Sequence, residues 1–246
     1  KSGDVSDAPI RNGMAMRVFI PYAGAEIYDA RIDGYTVGRS EVDGYIVQRG
    51  PGTIVQFNPD GSGRRVFATG VRNVLGMDFH PLTNELWGNN NGHDLEGRTR
   101  PPEWIDIIRD QDFMGYPFVH SYQVWNDFDI DVYKRVLPIT QADRDRVATQ
   151  KRPVALVPAH YAPMGIHFYT GDQFEHWQGD LLVTALRGQM IARLDLEEGR
   201  MIHEERLFDG DIDFRIRDIE QGPDGMLYIL SDEDNGRLIK LSPAAD

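Results

Sequence analysis

The sequence predicts an all-β fold of the β-propeller type, with a loop and short-helix insertion at about 93–160. Two observations predict it. Apolar residues fall in short β-rich or alternating runs rather than at the spacing of one helix face. Those runs come in repeated units of strand, Gly/Pro/Asp turn and strand, often followed by another turn and strand. Degenerate four-stranded units in series, roughly 40–50 residues each, are the pattern of propeller blades. An ordinary sandwich of hairpins is the alternative these turns leave open.

Along the chain, the first 50 residues are rich in Gly, Asp and Tyr, and only 16–20 and 45–48 read as strands. Residues 53–57 are β-rich, Asn58-Pro59-Asp60-Gly61-Ser62-Gly63 is a dense turn signal, and 64–68 return, which predicts a hairpin. Residues 77–79 alternate, 81–84 turn and 85–87 return. A similar unit runs from 165–168 through Gly171-Asp172 and Gly179-Asp180 into 181–183, with a further strand at 190–196. The last unit is 218–220, the turn Gly222-Pro223-Asp224-Gly225 and 226–230, then Asp234-Asn235-Gly236 and 237–241. Residues 93–160 break the rhythm. There 104–108 reads as a short strand or helical turn, 113–128 is aromatic, and Thr140-Gln141-Ala142-Asp143 resembles a capping box opening a short helix over 141–151. This insertion is expected over one face of the propeller, the kind of long ordered segment where sites tend to sit. The chain reads as a single propeller domain, 1–246, or the C-terminal part of one.

Composition removes whole classes of function. With 39 acidic and 26 basic residues among 246, the net charge is −13. Such a surface repels phosphate backbones, so no nucleic-acid partner is expected. Without cysteine there is no disulfide, Cys-ligated zinc, iron–sulfur cluster, c-type haem or thiol nucleophile. No apolar run approaches the roughly 20 residues of a membrane span. The chain begins at Lys1 without an apolar signal segment and has no cysteine. The chain is expected to be a mature exported protein, periplasmic or secreted, or a fragment.

Three constellations could carry chemistry. In Phe214-Arg215-Ile216-Arg217-Asp218, strand alternation puts Arg215 and Arg217 on one side. Two guanidiniums on one face repel unless an anion lies between them. The segment is either an exposed edge with Asp211, Asp213 and Asp218 as partners, or a clamp for a carboxylate or phosphate. Arg72-Asn73, at the mouth of the next strand, is either a surface Arg with a turn Asn or a binder of a polyoxygenated ligand. Asn89-Asn90-Asn91-Gly92-His93-Asp94 is either a plain turn or a tight loop whose exposed carbonyls suit a hard cation; it matches no EF-hand spacing. The seven histidines form no HExxH or His-x-His pair, and there is no Gly-x-Ser-x-Gly, Walker A or Gly-x-Gly-x-x-Gly motif. By default each lone His sits at a turn or strand end with a satisfied partner; His93 and His160 stand out because they lie in loops beside other candidate features.

Taken together, these segments resemble one family. Gly70-Val71-Arg72-Asn73, then Gly76-Met77-Asp78-Phe79-His80-Pro81 and Glu85-Leu86-Trp87, are similar to its "G-[LV]-R-N … E-L-W" blade. Phe113-Met114-Gly115-Tyr116-Pro117, Ala162-Pro163-Met164-Gly165 with Phe168-Tyr169-Thr170-Gly171, 181–187, Arg215-Ile216-Arg217-Asp218 and Gly222-Pro223-Asp224-Gly225 follow in the family's order, from about Thr53 to Leu241. The family is the soluble quinoprotein sugar dehydrogenases, the glucose, aldose-sugar and L-sorbosone dehydrogenase-like proteins. The resemblance implies a six-bladed propeller that uses pyrroloquinoline quinone (PQQ) and Ca2+. It also implies oxidation of a sugar, or a related aldehyde or alcohol, by hydride transfer, with Ca2+ as Lewis acid and an external electron acceptor.

Carried over residue by residue, the resemblance assigns cofactor contacts to Arg72, Asn73, His160, Arg187, Arg215 and Arg217, and the Ca2+ loop to Gly92 and His93. Arg187 stands where the family usually has Lys. The family's catalytic base is a His before the Arg-Asn motif. Here the first His is His80, so the base is unassigned, with His93 and His160 as candidates. The clear blades are fewer than six, which implies the C-terminal portion of a ring, or a shortened relative, completed by a partner chain or a second copy. A non-catalytic propeller acting as a binding or assembly subunit, and a Ca2+-dependent lactonase, are the alternative functions.

Overall fold

A computed structural model describes residues 53–60, 62–91, 103–115, 119–120, 123–124, 141, 145, 147–150, 153–157 and 161–243. Fifteen strands lie among them. In chain order they are β1 (Thr53–Gln56), β2 (Arg65–Thr69), β3 (Met77–Phe79), β4 (Leu86–Asn90) and β5 (Glu103–Ile108). Next come β6 (Val119–His120), β7 (Gln123–Val124), β8 (Ala155–Val157), β9 (Pro163–Phe168) and β10 (Leu181–Ala185). The last are β11 (Met190–Glu197), β12 (Arg200–Leu207), β13 (Ile216–Gln221), β14 (Leu227–Ser231) and β15 (Leu238–Leu241). The all-β propeller expectation holds, and helix is confined among the described residues to Gln141, Asp145 and Val147, inside the segment with the capping box.

The chain divides into two compact units, 1–73 with 108–152 and 74–107 with 153–246. In the first, β1 and β2 form the expected antiparallel hairpin. Its turn is set by Asp60, whose Oδ1 accepts from the Ser62 amide at 2.9 Å and hydroxyl at 2.6 Å, a local side-chain closure typical of Asp in turns. The returning segment 111–114 lies along β2: the Gln111 amide donates to Phe67 O, the Thr69 amide to Asp112 O, and the Met114 amide to Thr69 O.

The second unit holds three sheets, ordered β3-β4-β5-β8, β12-β11-β10-β9 and β13-β14-β15. Both β5 and β8 fall within 93–160, so the first of these sheets draws two strands from the stretch that broke the sequence rhythm. The first strands of the sheets are packed at backbone contact. A Cβ on Gly76 would lie 2.8 Å from the Ile166 amide of β9, and one on Gly165 would lie 2.8 Å from Asp218 Cα of β13. Only glycine fits where two backbones approach this closely.

Core formation follows from that stacking. In β10 all five residues are buried, because Leu181 and Val183 pack toward Trp87, Ile105 and Ile166 while Leu182 packs toward Ile216, Ile219 and Leu227. A sheet covered on both faces reads as a continuous apolar run, whereas β13 buries Ile216 and Ile219 and leaves Arg217 and Glu220 exposed, and β14 buries Leu227 and Ile229. Each such Leu or Ile contributes about 1.5–3 kcal/mol by burial.

The run 89–91 differs from the loop expected for it. Asn89 and Asn90 belong to β4, and all three asparagines are buried. The reason is tertiary. Asn89 Oδ1 accepts from the Leu75 and Gly76 amides at 3.2 Å, its Nδ2 donates to Met164 O, and Asn91 Nδ2 donates to Pro163 O at 2.7 Å. The carboxamides fasten one sheet to the next, and their buried hydrogen bonds override a local preference for turns. Gly92, His93 and His160 lie outside the described residues.

Candidate functional site

β13 carries the first candidate site. Ile216 is fully buried and Arg215 and Arg217 are exposed, as alternation requires. The pairing with β14 then slips by one residue, since Ile216 faces Ser231 and Asp218 faces Leu230. Arg217 is the extra residue, and a bulge of this kind re-aims a side chain. β9 has the same irregularity at the same level: Val183 faces Ile166 but Ala185 faces Pro163. Met164, in that bulge, places its sulfur 3.9 Å from Arg217 Nη1.

The two guanidiniums do meet an anion, and it belongs to the chain. Asp232 follows β14, and its amide donates to Arg215 O at 2.8 Å. Its Oδ1 accepts from Arg217 Nε at 3.1 Å and Nη2 at 2.5 Å, and its Oδ2 lies 3.3 Å from Arg215 Nε. The partner is thus Asp232 rather than Asp211, Asp213 or Asp218; Asp218 Oδ1 instead accepts from the Ile219 amide. The Arg217 hydrogen bonds first, and then the two arginine charges, hold the Asp232 carboxyl below its usual range. Both guanidiniums remain about half exposed, at 52% and 45%. Each is gripped on its Nε side. The Nη groups of Arg215 make no hydrogen bond or ion pair to a described residue. Two cations against one carboxylate leave a net positive patch with donors to spare, the composition of a carboxylate or phosphate clamp.

Arg187 sits exposed on the tight turn 186–189 between β10 and β11, where its amide donates to Tyr161 O at 3.2 Å. Arg72 and Asn73 close the first unit, half-buried after Gly70, whose φ of +73° needs glycine and whose missing side chain makes room for the Phe113 ring. All three engage other groups.

A second cluster escaped the sequence reading. His167 of β9 lies between the neighbouring first strands, with Nδ1 3.3 Å from Glu220 Oε2 of β13 and 3.6 Å from Asp78 Oδ2 of β3. Asp78 Oδ2 also accepts from the Phe168 amide at 2.8 Å. Desolvation, and next the Asp218 and Asp78 charges, raise the Glu220 carboxyl, with His167 opposing. The available signal was positional: Asp78, His167 and Glu220 each stand two residues after Gly76, Gly165 and Asp218, the points where the strands touch. His80 behaves as a lone turn histidine should, its Nδ1 accepting from the Leu82 and Thr83 amides.

Residues 39–240 match the glucose/sorbosone dehydrogenase family. The chain belongs to that family. Aldose sugar dehydrogenase YliI of Escherichia coli (strain K12) is 31% identical over 196 residues, which cover 78% of this chain and 48% of YliI. The crystal structure of the soluble aldose sugar dehydrogenase from Escherichia coli in the apo-form superposes with a TM-score of 0.63 at 28% identity, over 80% of this chain and 56% of that one. The PQQ-bound form of aldose sugar dehydrogenase from Streptomyces coelicolor is alike in fold, with a TM-score of 0.55 at 19% identity over 78% of this chain and 52% of that one. This glucose/sorbosone dehydrogenase family chain therefore spans about half the length of YliI. No helix among its described residues is long and apolar enough to cross a membrane.

Proposed function

We propose that this chain is the cofactor-holding part of a PQQ- and Ca2+-dependent oxidoreductase, periplasmic or secreted, that oxidises a sugar or a related aldehyde or alcohol and passes electrons to an external acceptor. The observation that carries this reading is the Arg215–Arg217 pair, two half-exposed guanidiniums with one internal carboxylate between them. PQQ carries three carboxylates, and planar guanidinium forks suit them better than any other donor in the protein repertoire. The donor set therefore fits the group. Arg215 and Arg217 would hold its carboxylates, and Arg72, Asn73, Arg187 and His160 would supply further contacts. Gly92 and His93 would offer backbone oxygens to Ca2+. When bound, the quinone supplies the two-electron acceptor and Ca2+ the electrophile beside it. The chain's own part is orientation and charge: fixed donors placed before the reaction cost nothing to reorganise during it. A partner chain or a second copy of this one would complete the ring.

Reconstitution tests the reading. Saturable binding of PQQ in the presence of Ca2+, followed by absorbance, and dye reduction with an aldose are expected. Binding without turnover would leave a binding subunit lacking its base, and absence of binding would sink the cofactor reading.

A further inference from the structure

We propose that Asp232 is the positioning residue of the arginine pair, a built-in carboxylate that fixes both guanidiniums by their Nε sides and leaves their outer edges set for an incoming polycarboxylate. Its use in cofactor binding rests on the function proposed above, but the positioning stands on this geometry. One oxygen takes Arg217 Nε and Nη2, at 3.1 and 2.5 Å, and the other faces Arg215 Nε at 3.3 Å. The carboxylate is itself anchored. Its backbone amide is bound to Arg215 O, and it follows directly on Ser231, a buried residue paired with Ile216. Met164 Sδ beside Arg217 Nη1 limits the second guanidinium from the side of β9.

Two effects of Asp232 oppose each other. Its negative charge disfavours a bound anion, a repulsion that solvent and salt screen in a half-exposed setting. Its hold on two long side chains removes rotamer freedom that binding would otherwise have to remove, worth about thirtyfold for the pair. Positioning must outweigh that repulsion for the pair to act as a clamp. The internal charge also lowers the patch from two positive charges to one, so a lone chloride or acetate is held weakly while a ligand with spaced carboxylates reaches both outer edges. Asp232 thereby sets selectivity as well as geometry.

The test uses the whole chain, Asp232→Asn and Asp232→Glu, with Arg215→Lys and Arg217→Lys to assign signals. Nε–H resonances in arginine-selective NMR report the hold directly, in the absence of any ligand. Two protected Nε–H signals are expected in the parent chain, lost in Asp232→Asn and at least partly restored in Asp232→Glu, with thermal midpoints that move by only a few degrees. Titration with PQQ and with benzene-1,3,5-tricarboxylate should show about tenfold weaker binding to Asp232→Asn and stronger competition by chloride. Persistence of both Nε–H signals in Asp232→Asn, or unchanged affinity for both probes, overturns the proposal. Binding of the tricarboxylate without binding of PQQ supports it while removing the cofactor reading. Binding of neither probe by the parent chain overturns both.

Discussion

Two arginine–carboxylate clusters in the second unit use the same chemistry to opposite ends. Arg193 of β11 donates from Nε to Glu205 and from Nη1 to Asp180, each at 2.8 Å, and its guanidinium lies 5.1 Å from the centre of the Trp177 ring. One cation serves two carboxylates, and the Arg193 and Asp180 side chains are only 17% and 8% exposed. At β13 the ratio is inverted, with two cations to one carboxylate and about half of each guanidinium in solvent. Stoichiometry and burial, not residue type, separate a saturated strut from an open receptor. The first has no strong donor edge to give away without leaving a buried charge unpaired; the second keeps its outer edges for something else.

The largest expected effect falls on the buried cluster. Arg193→Ala leaves the buried Asp180 carboxylate without its guanidinium, and removal of one member of a buried pair costs about 3 kcal/mol. Urea denaturation should show this with tricarboxylate affinity unchanged; a loss below about 1 kcal/mol would mean the cluster behaves like a surface pair. Gly165→Ala should join the two behaviours. A Cβ there meets Asp218 backbone one residue from Arg217, and overpacking of this kind costs about 1–3 kcal/mol. Stability and anion binding should fall together, and a variant that lost only one would separate the strand joint from the clamp. Arg217→Ala should do the reverse of Arg193→Ala: stability changes by less than about 1 kcal/mol, whereas calorimetric PQQ affinity falls tenfold or more.

The smallest effect is a difference in sign with pH. Desolvation raises the Asp180 carboxyl despite Arg193, while the Arg217 hydrogen bonds lower that of Asp232. A carboxyl raised on folding binds protons more tightly in the folded state. Its contribution is greatest below the ordinary carboxylate range and is lost as pH rises through the raised value. A lowered carboxyl contributes above the ordinary range and loses that contribution as pH falls through the depressed value. Denaturation series should therefore show the stability gap between parent and Asp180→Asn widening as pH falls toward 4, and the gap to Asp232→Asn narrowing below it. Equal signs would erase the distinction between strut and receptor.

The features legible in the sequence were those written locally. The 58–63 turn chemistry predicted the β1–β2 hairpin, the turns at 171–180 and 222–225 separated β9 from β10 and β13 from β14, and Arg215-Ile216-Arg217 announced its alternation. What stayed hidden depended on distant partners. β12 reads as charged because its pattern is largely that of an exposed outer strand, so no apolar period marks it. Asn89 to Asn91 look like a loop because their buried roles are set by the carbonyls of Pro163 and Met164, more than 70 residues away. Asp232 was missed for the same reason. It is brought to Arg217 only by the β13–β14 register, with a one-residue slip that no spacing rule supplies.

The burial of β10 has a kinetic corollary. It is hydrogen-bonded on one edge to β9 and on the other to β11, and none of its residues is solvent-exposed. Its amides can exchange with solvent only when the sheets on both sides let go. Leu181 to Ala185 should therefore keep their protons longest in deuterated water, and their exchange rate measures the opening of the second unit as a whole rather than any local fraying.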